Sequence, residues 1–196
     1  MNDFKNVWSA MDSLRGMMTI EESVQHVLPL MTLQNVEKRY SDKFIIPEEA
    51  KWSNLIRSGM NIGQKLDRAV AILEAENSSL KGVLSIVTFS KIDDAPLYNI
   101  VLHLKDLPEN VGVIVKELLY KAAEAAGKIG REDLTPPTLT ELVVRLLNVR
   151  EGASFYDGVA GVGQFLLRAA ESANDVSLYG QEKNPTTWAI AKMNCI

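Results

Sequence analysis

Apolar residues recur at three- and four-residue spacing along most of the first 126 positions, which is the pattern of amphipathic helices. Thr19 and Glu22 have the spacing of a capping box that opens the second helix. Pro29 lies within that helix, and because proline lacks an amide donor we expect a kink or an irregular turn there. Asn61 with Gln64 predicts the cap of a later helix. Together the patterns predict helices over residues 4–18, 19–36, 47–56, 61–73, 96–104 and 111–126.

Two segments interrupt this series. Residues 78–89 are apolar and β-branched in their second half, so a helix and a strand both remain open there. Residues 127–134 combine two glycines with four charged residues and predict a domain boundary. The expected organisation is an all-α domain over 1–130, closed by a C-cap at Gly127, followed by a second domain over 131–196.

The second domain has a different pattern. Thr135 is expected to cap a helix whose first turn holds Pro136 and Pro137. A strand, a glycine loop, a helix, a strand and a last helix follow, which is the beginning of an incomplete α/β domain. The face expected to be buried in the first of these helices consists of Leu139, Leu142, Val143, Leu146 and Leu147.

Candidate chemistry begins at Asp157, which ends an apolar, β-prone run. A glycine loop containing Gly161 and Gly163 follows, and then a helix with apolar periodicity. Open α/β sheets build nucleotide sites in this way at the carboxyl end of a strand. The next β-prone run, residues 176–180, would bring Glu182 to the same edge, where a carboxylate can accept both hydroxyls of a ribose.

Two cofactor classes use this layout. A dinucleotide fold takes G-x-G-x-x-G, but the third position counted from Gly161 is Leu166, which weakens the nicotinamide interpretation. The order D-x-x-x-G-x-G-x-F-L from Asp157 looks instead like motif I of S-adenosylmethionine-dependent methyltransferases. A tight turn between a strand and a helix, without any ligand, is the third possibility.

Longer segments sharpen the similarity. They are Trp8, Leu14-Arg15-Gly16 with the apolar run through Leu33, Pro47 to Trp52, Asn61 to Gly63, Leu134 to Pro136, Phe155 to Asp157, Gly161 to Leu166, Leu178 to Asn184 and Ala189 to Asn194. In this order they resemble the modification (methyltransferase) subunit of type I restriction-modification systems, a family that methylates the exocyclic amine of adenine in DNA. The resemblance implies an all-α N-terminal domain followed by the start of a Rossmann-like α/β domain that uses S-adenosylmethionine.

The same resemblance implies roles for six residues. Thr135 and Pro136 would line the cofactor pocket, Asp157 would anchor the loop, Gly161 and Gly163 would admit the methionine part, and Glu182 would bind the ribose. The family's Asn/Asp-Pro-Pro-aromatic motif, which holds the adenine, occurs nowhere in the sequence. No catalytic residue is therefore assigned, and we expect this chain alone to transfer no methyl group.

The loop departs from the family's usual D-P-x-C-G-T-G-G-F at Gly158, Ala160, Val162 and Gln164. These departures, together with a sheet of only two strands, predict weak or absent S-adenosylmethionine binding. We interpret the chain as the front portion of a larger protein. Its expected partners are DNA and the specificity and restriction subunits of a type I system. The alternative is a non-catalytic module that docks to a specificity subunit and DNA.

Charge and histidine content bear on whether the chain binds DNA or a metal by itself. A formal net charge of −4 predicts no globally basic surface for DNA, although a local patch around Lys116, Lys121, Lys128 and Arg131 is possible. A solvated helix face is the simpler interpretation of those residues. The two histidines lack neighbours at metal-ligand spacing and are expected to be structural, with no metal bound.

Location and assembly follow from similar reasoning. A single cysteine, Cys195, suits a reducing compartment, and the sequence has no secretory leader and no apolar run of roughly 18 residues, so we expect a cytoplasmic protein that does not contact the membrane. A two-stranded sheet has open edges and would lean on the helical domain, pair with another copy or fray. We favour the first two outcomes together and expect some self-association, with residues 186–196 the least protected.

Overall fold

A computed structural model describes residues 3–57, 59–125 and 134–196. The first part of the structure, residues 3–57 and 59–125, consists of helices and three short 3-10 turns, at Glu48–Ala50, Ser78–Leu80 and Phe89–Lys91. Its helices are α1 (Asp3–Asp12), α2 (Ile20–Arg39), α3 (Trp52–Leu55), α4 (Ile62–Glu76), α5 (Asp94–Leu104) and α6 (Val111–Ala125). The second part consists of α7 (Pro137–Leu147), β1 (Ser154–Asp157), α8 (Gln164–Ser172), β2 (Ser177–Gly180) and α9 (Pro185–Asn194). Gly127 and the expected boundary up to residue 133 lie outside the described residues.

Helix α2 is the centre of the fold and contacts α1, α3, α5, α6 and α9. The capping box predicted at its start is confirmed: the Thr19 amide donates to Glu22, and the Glu22 amide donates to the Thr19 hydroxyl. Of the two outcomes expected at Pro29, a kink or an irregular turn, the irregular turn is wrong, because the helix continues through this residue. Residues on both sides of Pro29 are buried, so packing against five helices outweighs the missing backbone hydrogen bond.

The start of α4 differs from the prediction. Asn61 precedes the helix with φ 52°, and its side chain makes no capping hydrogen bond. The backbone amides of Asn61 and Ile62 donate instead to the two carboxylate oxygens of Asp94, at 2.8 and 3.0 Å. Asp94 is therefore the residue that caps α4, while the predicted apolar face of this helix is buried as expected.

Residues 78–89 form turns and 3-10 segments, so neither of the two possibilities left open by the sequence applies. Carboxylates of α4 hold this stretch. Asp67 accepts from the amides of Phe89 and Ser90, at 2.7 and 3.0 Å. Glu74 accepts from three further amides, those of Gly82, Leu84 and Ser85. Backbone donors that no helix or sheet satisfies are thus paired with acidic side chains.

The two strands pair in parallel, with Phe155 opposite Leu178 and Tyr156 opposite Tyr179. Helix α8 covers one face of this sheet and buries Phe155. The two tyrosines on the other face are exposed, at 62% and 57%. A small apolar cluster of Val144, Phe155, Ala160, Leu166 and Ala169 lies between the sheet, α7 and α8.

Helix α9 belongs to the larger core. Ile190 and Met193 pack with the buried residues of α1–α6, and α9 contacts α2 and α6. Most of residues 189–194 are buried. The expectation that residues 186–196 are the least protected part is at odds with this burial. The end of the chain does lean on the helices, but through α9 rather than through the sheet.

Two predictions for α7 are wrong. Thr135 does not cap the helix: Pro136 occupies the N-cap position and no side chain caps it. The predicted buried face is largely exposed, since Leu146 and Leu147 are 75% and 59% accessible, and the buried positions are Thr140 and Val144. Helix α8 is the element that α7 contacts most, and α8 covers only a narrow stripe of the α7 surface. None of the helices in the described ranges is long and apolar enough to span a bilayer.

Candidate functional site

The carboxyl ends of β1 and β2 meet where the sequence predicts them to meet. Asp157 ends β1 opposite Gly180 of β2. One oxygen of the Asp157 carboxylate accepts from the Val159 amide at 3.1 Å. The other oxygen is buried and has no hydrogen-bond partner among the described residues. A buried acceptor without a partner is energetically unsatisfied, and a donor brought to this edge of the sheet would satisfy it.

The loop that follows is shaped by two glycines in the left-handed region, Gly161 with φ 54° and Gly163 with φ 84°. Its backbone is tied to the second strand by a hydrogen bond of 2.8 Å from the Ala160 amide to the Gln181 carbonyl. A side chain added at Gly161 would meet no atom within 4 Å, so the space above this residue is open.

Glu182 clamps the loop. One of its carboxylate oxygens accepts from the Gly161 amide at 3.0 Å, and the other accepts from the Asn184 amide at 2.8 Å. Each carboxylate oxygen has two acceptor positions, so both retain capacity for a ligand hydroxyl. The structure therefore brings Asp157, Gly161, Gly163 and Glu182 together at one edge of the sheet.

Thr135 joins the same group through Gln164, the first residue of α8. The Thr135 amide donates to the Gln164 side-chain oxygen at 2.9 Å, and the Gln164 side-chain nitrogen donates to the Thr135 carbonyl at 3.1 Å. Tyr120 of α6 donates its hydroxyl proton to the same carbonyl at 3.1 Å and also contacts the Gln164 nitrogen. Pro136, next in the chain, is exposed.

Helix α9 contacts the end of the glycine loop. The Asn194 side-chain nitrogen donates to the buried Val162 carbonyl at 2.9 Å, and a Cβ atom at Gly163 would lie 3.6 Å from Ala191. Asn184 caps α9 by accepting from the amides of Thr186 and Thr187. The loop is thus held by β2, α9 and the segment before α7.

A cavity of about 620 Å³ lies beside the loop, between α6, α7 and α8. Tyr120, Gln164, Arg168 and Asn194 line it, and none of the six residues predicted from the sequence does so. Arg168 pairs with Glu141 across α7 and α8. Hydrogen bonds from Arg168 and Arg145 lower the pKa of Glu141 to about 2, so this pair stays charged at neutral pH.

Metal chemistry finds no support in the part of the chain that the structure describes, which holds no cluster of three acidic, histidine or cysteine residues fit for an ion. The His26 ring nitrogen Nδ1 lies 2.7 Å from the Glu22 carbonyl, and the ring packs edge-on against Phe89. Lys121, a candidate for DNA contact, lies over the Phe4 ring at 4.2 Å and pairs with Glu117.

Two family models divide most of the chain between them. The HsdM N-terminal domain matches residues 31–104, and the N-6 DNA methylase family matches residues 108–196. The second match includes the glycine loop and Glu182. The chain belongs to the type I methylase subunits.

Named type I methylase subunits are similar in sequence. The MjaIX methylase subunit of Methanocaldococcus jannaschii is 31% identical over 170 residues, which cover 77% of this chain and 30% of that protein. The HindI methylase subunit of Haemophilus influenzae is 28% identical over 186 residues, covering 76% of this chain and 42% of that protein. The chain therefore spans less than half the length of these relatives and corresponds to an N-terminal portion of such a subunit.

A solved type I subunit has the same fold. The methyltransferase subunit of a type I restriction-modification system from Streptococcus thermophilus superposes with a TM-score of 0.72 over 98% of this chain and 55% of that one, at 16% identity. Helices and a short parallel sheet in this order are thus an arrangement found in a type I methylase subunit.

Sequence reasoning missed three residues of the site: Tyr120, Gln164 as a contact, and Asn194. In the sequence, Gln164 stood out only as a departure from the family's usual loop. Its partners lie 29 and 44 residues away, so local spacing carries no signal for them.

Proposed function

We propose that this chain forms the cofactor side of the active site of a type I DNA methyltransferase that methylates the exocyclic amine of adenine. The observation that carries the proposal is the buried, unpartnered oxygen of Asp157 beside the open glycine loop and Glu182. S-adenosylmethionine has the ammonium and hydroxyl donors that two carboxylates at this edge can accept. When bound, it supplies the methyl group.

The roles of the chain's own residues follow from their contacts. Gly161 and Gly163 allow the backbone to approach the methionine part, and Asp157 receives a donor on its free oxygen. Glu182 accepts ribose hydroxyls while it holds the loop. Thr135 and Pro136 form a wall of the pocket. Because the sequence contains no Pro-Pro-aromatic motif, we propose that this chain alone holds no adenine and transfers no methyl group.

Replacing Glu182 with alanine should weaken S-adenosylmethionine binding by about 1–3 kcal/mol, because the variant loses both the ribose acceptor and the clamp on Gly161. Equilibrium dialysis with radiolabelled cofactor suits the weak affinity that we expect. Glu151→Ala, at an exposed turn residue before β1, is the matched control and should leave binding unchanged. NAD, titrated in parallel, should not bind.

The unpartnered Asp157 oxygen and the remaining acceptor capacity of Glu182 favour weak binding over none. No saturable binding of S-adenosylmethionine by the unaltered chain, or tighter binding of NAD, would therefore contradict the proposal. The second candidate is a non-catalytic module that docks to a specificity subunit and DNA. The internal pairing of the loop favours it, since the Gly161 amide and the Gln164 side chain already have protein partners. Stable association with a specificity subunit in the absence of any cofactor binding would support this second candidate.

We also propose a division into two domains, 1–130 and 131–196, and a cytoplasmic location. The proposed partners are DNA, a specificity subunit and a restriction subunit. The sequence similarity to type I methylase subunits supports the partners. The chain itself has no basic excess, so we propose that DNA contact depends on the other subunits.

Self-association should be detectable by sedimentation velocity, because α7 presents a leucine face in which Leu142 is 54% and Leu146 75% exposed. Introducing glutamate at both positions should shift the sample toward monomer. Ile45→Glu, at a residue that is 61% exposed elsewhere, adds charge without touching this face and should have no effect. A monomeric unaltered chain across the accessible concentration range would refute this proposal.

A further inference from the structure

The contacts among Tyr120, Gln164 and Thr135 are mutually consistent in their donors and acceptors. The two protons on the Gln164 nitrogen go to Tyr120 and to the Thr135 carbonyl, while the Gln164 oxygen accepts from the Thr135 amide. The Tyr120 hydroxyl accepts from Gln164 and donates to the Thr135 carbonyl. This pairing fixes which way the side-chain amide points, because the carboxamide supplies both the donor and the acceptor that the Thr135 backbone requires.

The network joins three elements that are far apart in sequence. Tyr120 lies on α6, Thr135 lies just before α7, and Gln164 follows Gly163 directly at the start of α8. Because Tyr120 donates to the Thr135 carbonyl, a movement of α6 away from α8 would also move Thr135. Because Gln164 is continuous with the glycine loop, the position of the loop is coupled to the position of α6.

We propose that Tyr120 and Gln164 are positioning residues for the cofactor site, tying the glycine loop and the Thr135–Pro136 wall to α6. The inference rests on the proposed function, since the site that they position is the S-adenosylmethionine site. Neither residue needs to touch the cofactor. Their effect is to hold the wall and the loop at one separation before the cofactor arrives, which reduces the ordering that binding requires.

The environment of Tyr120 suits this role. Its ring is half-buried, and burial raises the pKa of its hydroxyl, so the group remains a neutral donor throughout the physiological range. The contacts with Thr135 and Gln164 therefore do not depend on pH near neutrality.

The network can be tested without cofactor by amide hydrogen exchange. In Gln164→Met, which keeps the length of the side chain but removes both polar atoms, the Thr135 amide should exchange at least about tenfold faster, because it loses its acceptor. A second variant, Tyr120→Phe, removes the hydroxyl of the network, and Tyr98→Phe is its matched control. The Tyr98 hydroxyl donates to the Ile56 carbonyl at 3.3 Å and lies outside the network. Tyr98→Phe should leave Thr135 exchange unchanged.

The positioning role is tested by binding. Tyr120→Phe removes both hydrogen bonds of the hydroxyl and should weaken S-adenosylmethionine binding about three- to tenfold, because only part of that loss reaches the cofactor site, and Gln164→Met should weaken it more. Gln164→Glu provides a rescue: its carboxylate cannot donate to the Thr135 carbonyl, but its protonated form can, so the affinity of this variant relative to the unaltered chain at the same pH should recover as the pH falls. The comparison at equal pH removes the loss of affinity that protonation of Asp157 and Glu182 causes in both proteins. Tyr98→Phe should bind as the unaltered chain does.

The outcomes separate the two proposals. If the unaltered chain does not bind S-adenosylmethionine, the proposed function is wrong, and this inference, which depends on it, fails as well. If the unaltered chain binds and Tyr120→Phe and Gln164→Met bind equally well, the positioning role alone is overturned, whether or not Thr135 exchanges faster. Faster Thr135 exchange in Gln164→Met, weaker binding in both variants, and no change in Tyr98→Phe support it.

Discussion

Replacing Met193 with alanine should lower the free energy of unfolding by about 2–5 kcal/mol. Met193 is 4% exposed and packs in the core that α2 and α6 share with α9. Removing its side chain leaves a cavity that helices on several sides cannot easily close. Urea unfolding measures the change, and Met17→Ala, at a residue that is 50% exposed, should alter stability by less than about 0.5 kcal/mol.

Equal effects of the two methionine substitutions would mean that α9 is only loosely attached to the core. The half-buried Leu178 of β2 offers a second comparison, because it packs against the small cluster rather than the large core. Its replacement by alanine should cost less than that of Met193. Such a ranking would identify α9, and not the sheet, as the main attachment of the second part to the first.

Gly63→Ala is the second substitution expected to have a large effect, at the upper end of about 1–3 kcal/mol of destabilisation. A Cβ atom at this position would lie 2.8 Å from the Phe89 carbonyl oxygen and 2.8 Å from the Ser90 Cα atom. These are backbone atoms, and Asp67 holds both amides of the segment, so the segment cannot retreat without losing two hydrogen bonds.

Gly112→Ala is the matched control, because a Cβ atom there meets nothing within 4 Å. Gly112 lies in α6, and alanine in a helix is favoured over glycine by about 0.5–1 kcal/mol, so this variant should be slightly more stable than the unaltered chain. Thermal unfolding midpoints that move in opposite directions for the two variants would confirm the close approach at Gly63. Midpoints that rise together would contradict it.

Local signals in the sequence were predictive where the partners are close in the chain. The capping box of Thr19 and Glu22 spans three residues, and the apolar face of α4 follows from periodicity alone. The predicted cap of α4 was wrong because the amides at the start of this helix donate to Asp94 instead of to the Asn61 side chain. Asp94 lies 33 residues from Asn61 and 32 residues from Ile62 in the sequence. No spacing rule connects such a carboxylate to the helix that it caps.

The leucines of α7 illustrate a different failure. Periodicity correctly identified an apolar face, but it does not report how much surface is available to cover that face. In the candidate site, the edge with Asp157 and Glu182 was predictable because the order of strand, loop and strand determines it. The Gln164 contacts were not, because they depend on how α6 packs beside α8.

The distribution of tryptophan gives the two apolar clusters different optical signatures. Trp52 is part of the large core, and Trp8 and Trp188 pack against it, which accounts for the three tryptophans of the chain. The small cluster around Phe155 contains phenylalanine and aliphatic side chains. Tryptophan emission during unfolding therefore reports the loosening of the helical core and of α9, while the sheet that carries Asp157 can open without a change in that signal.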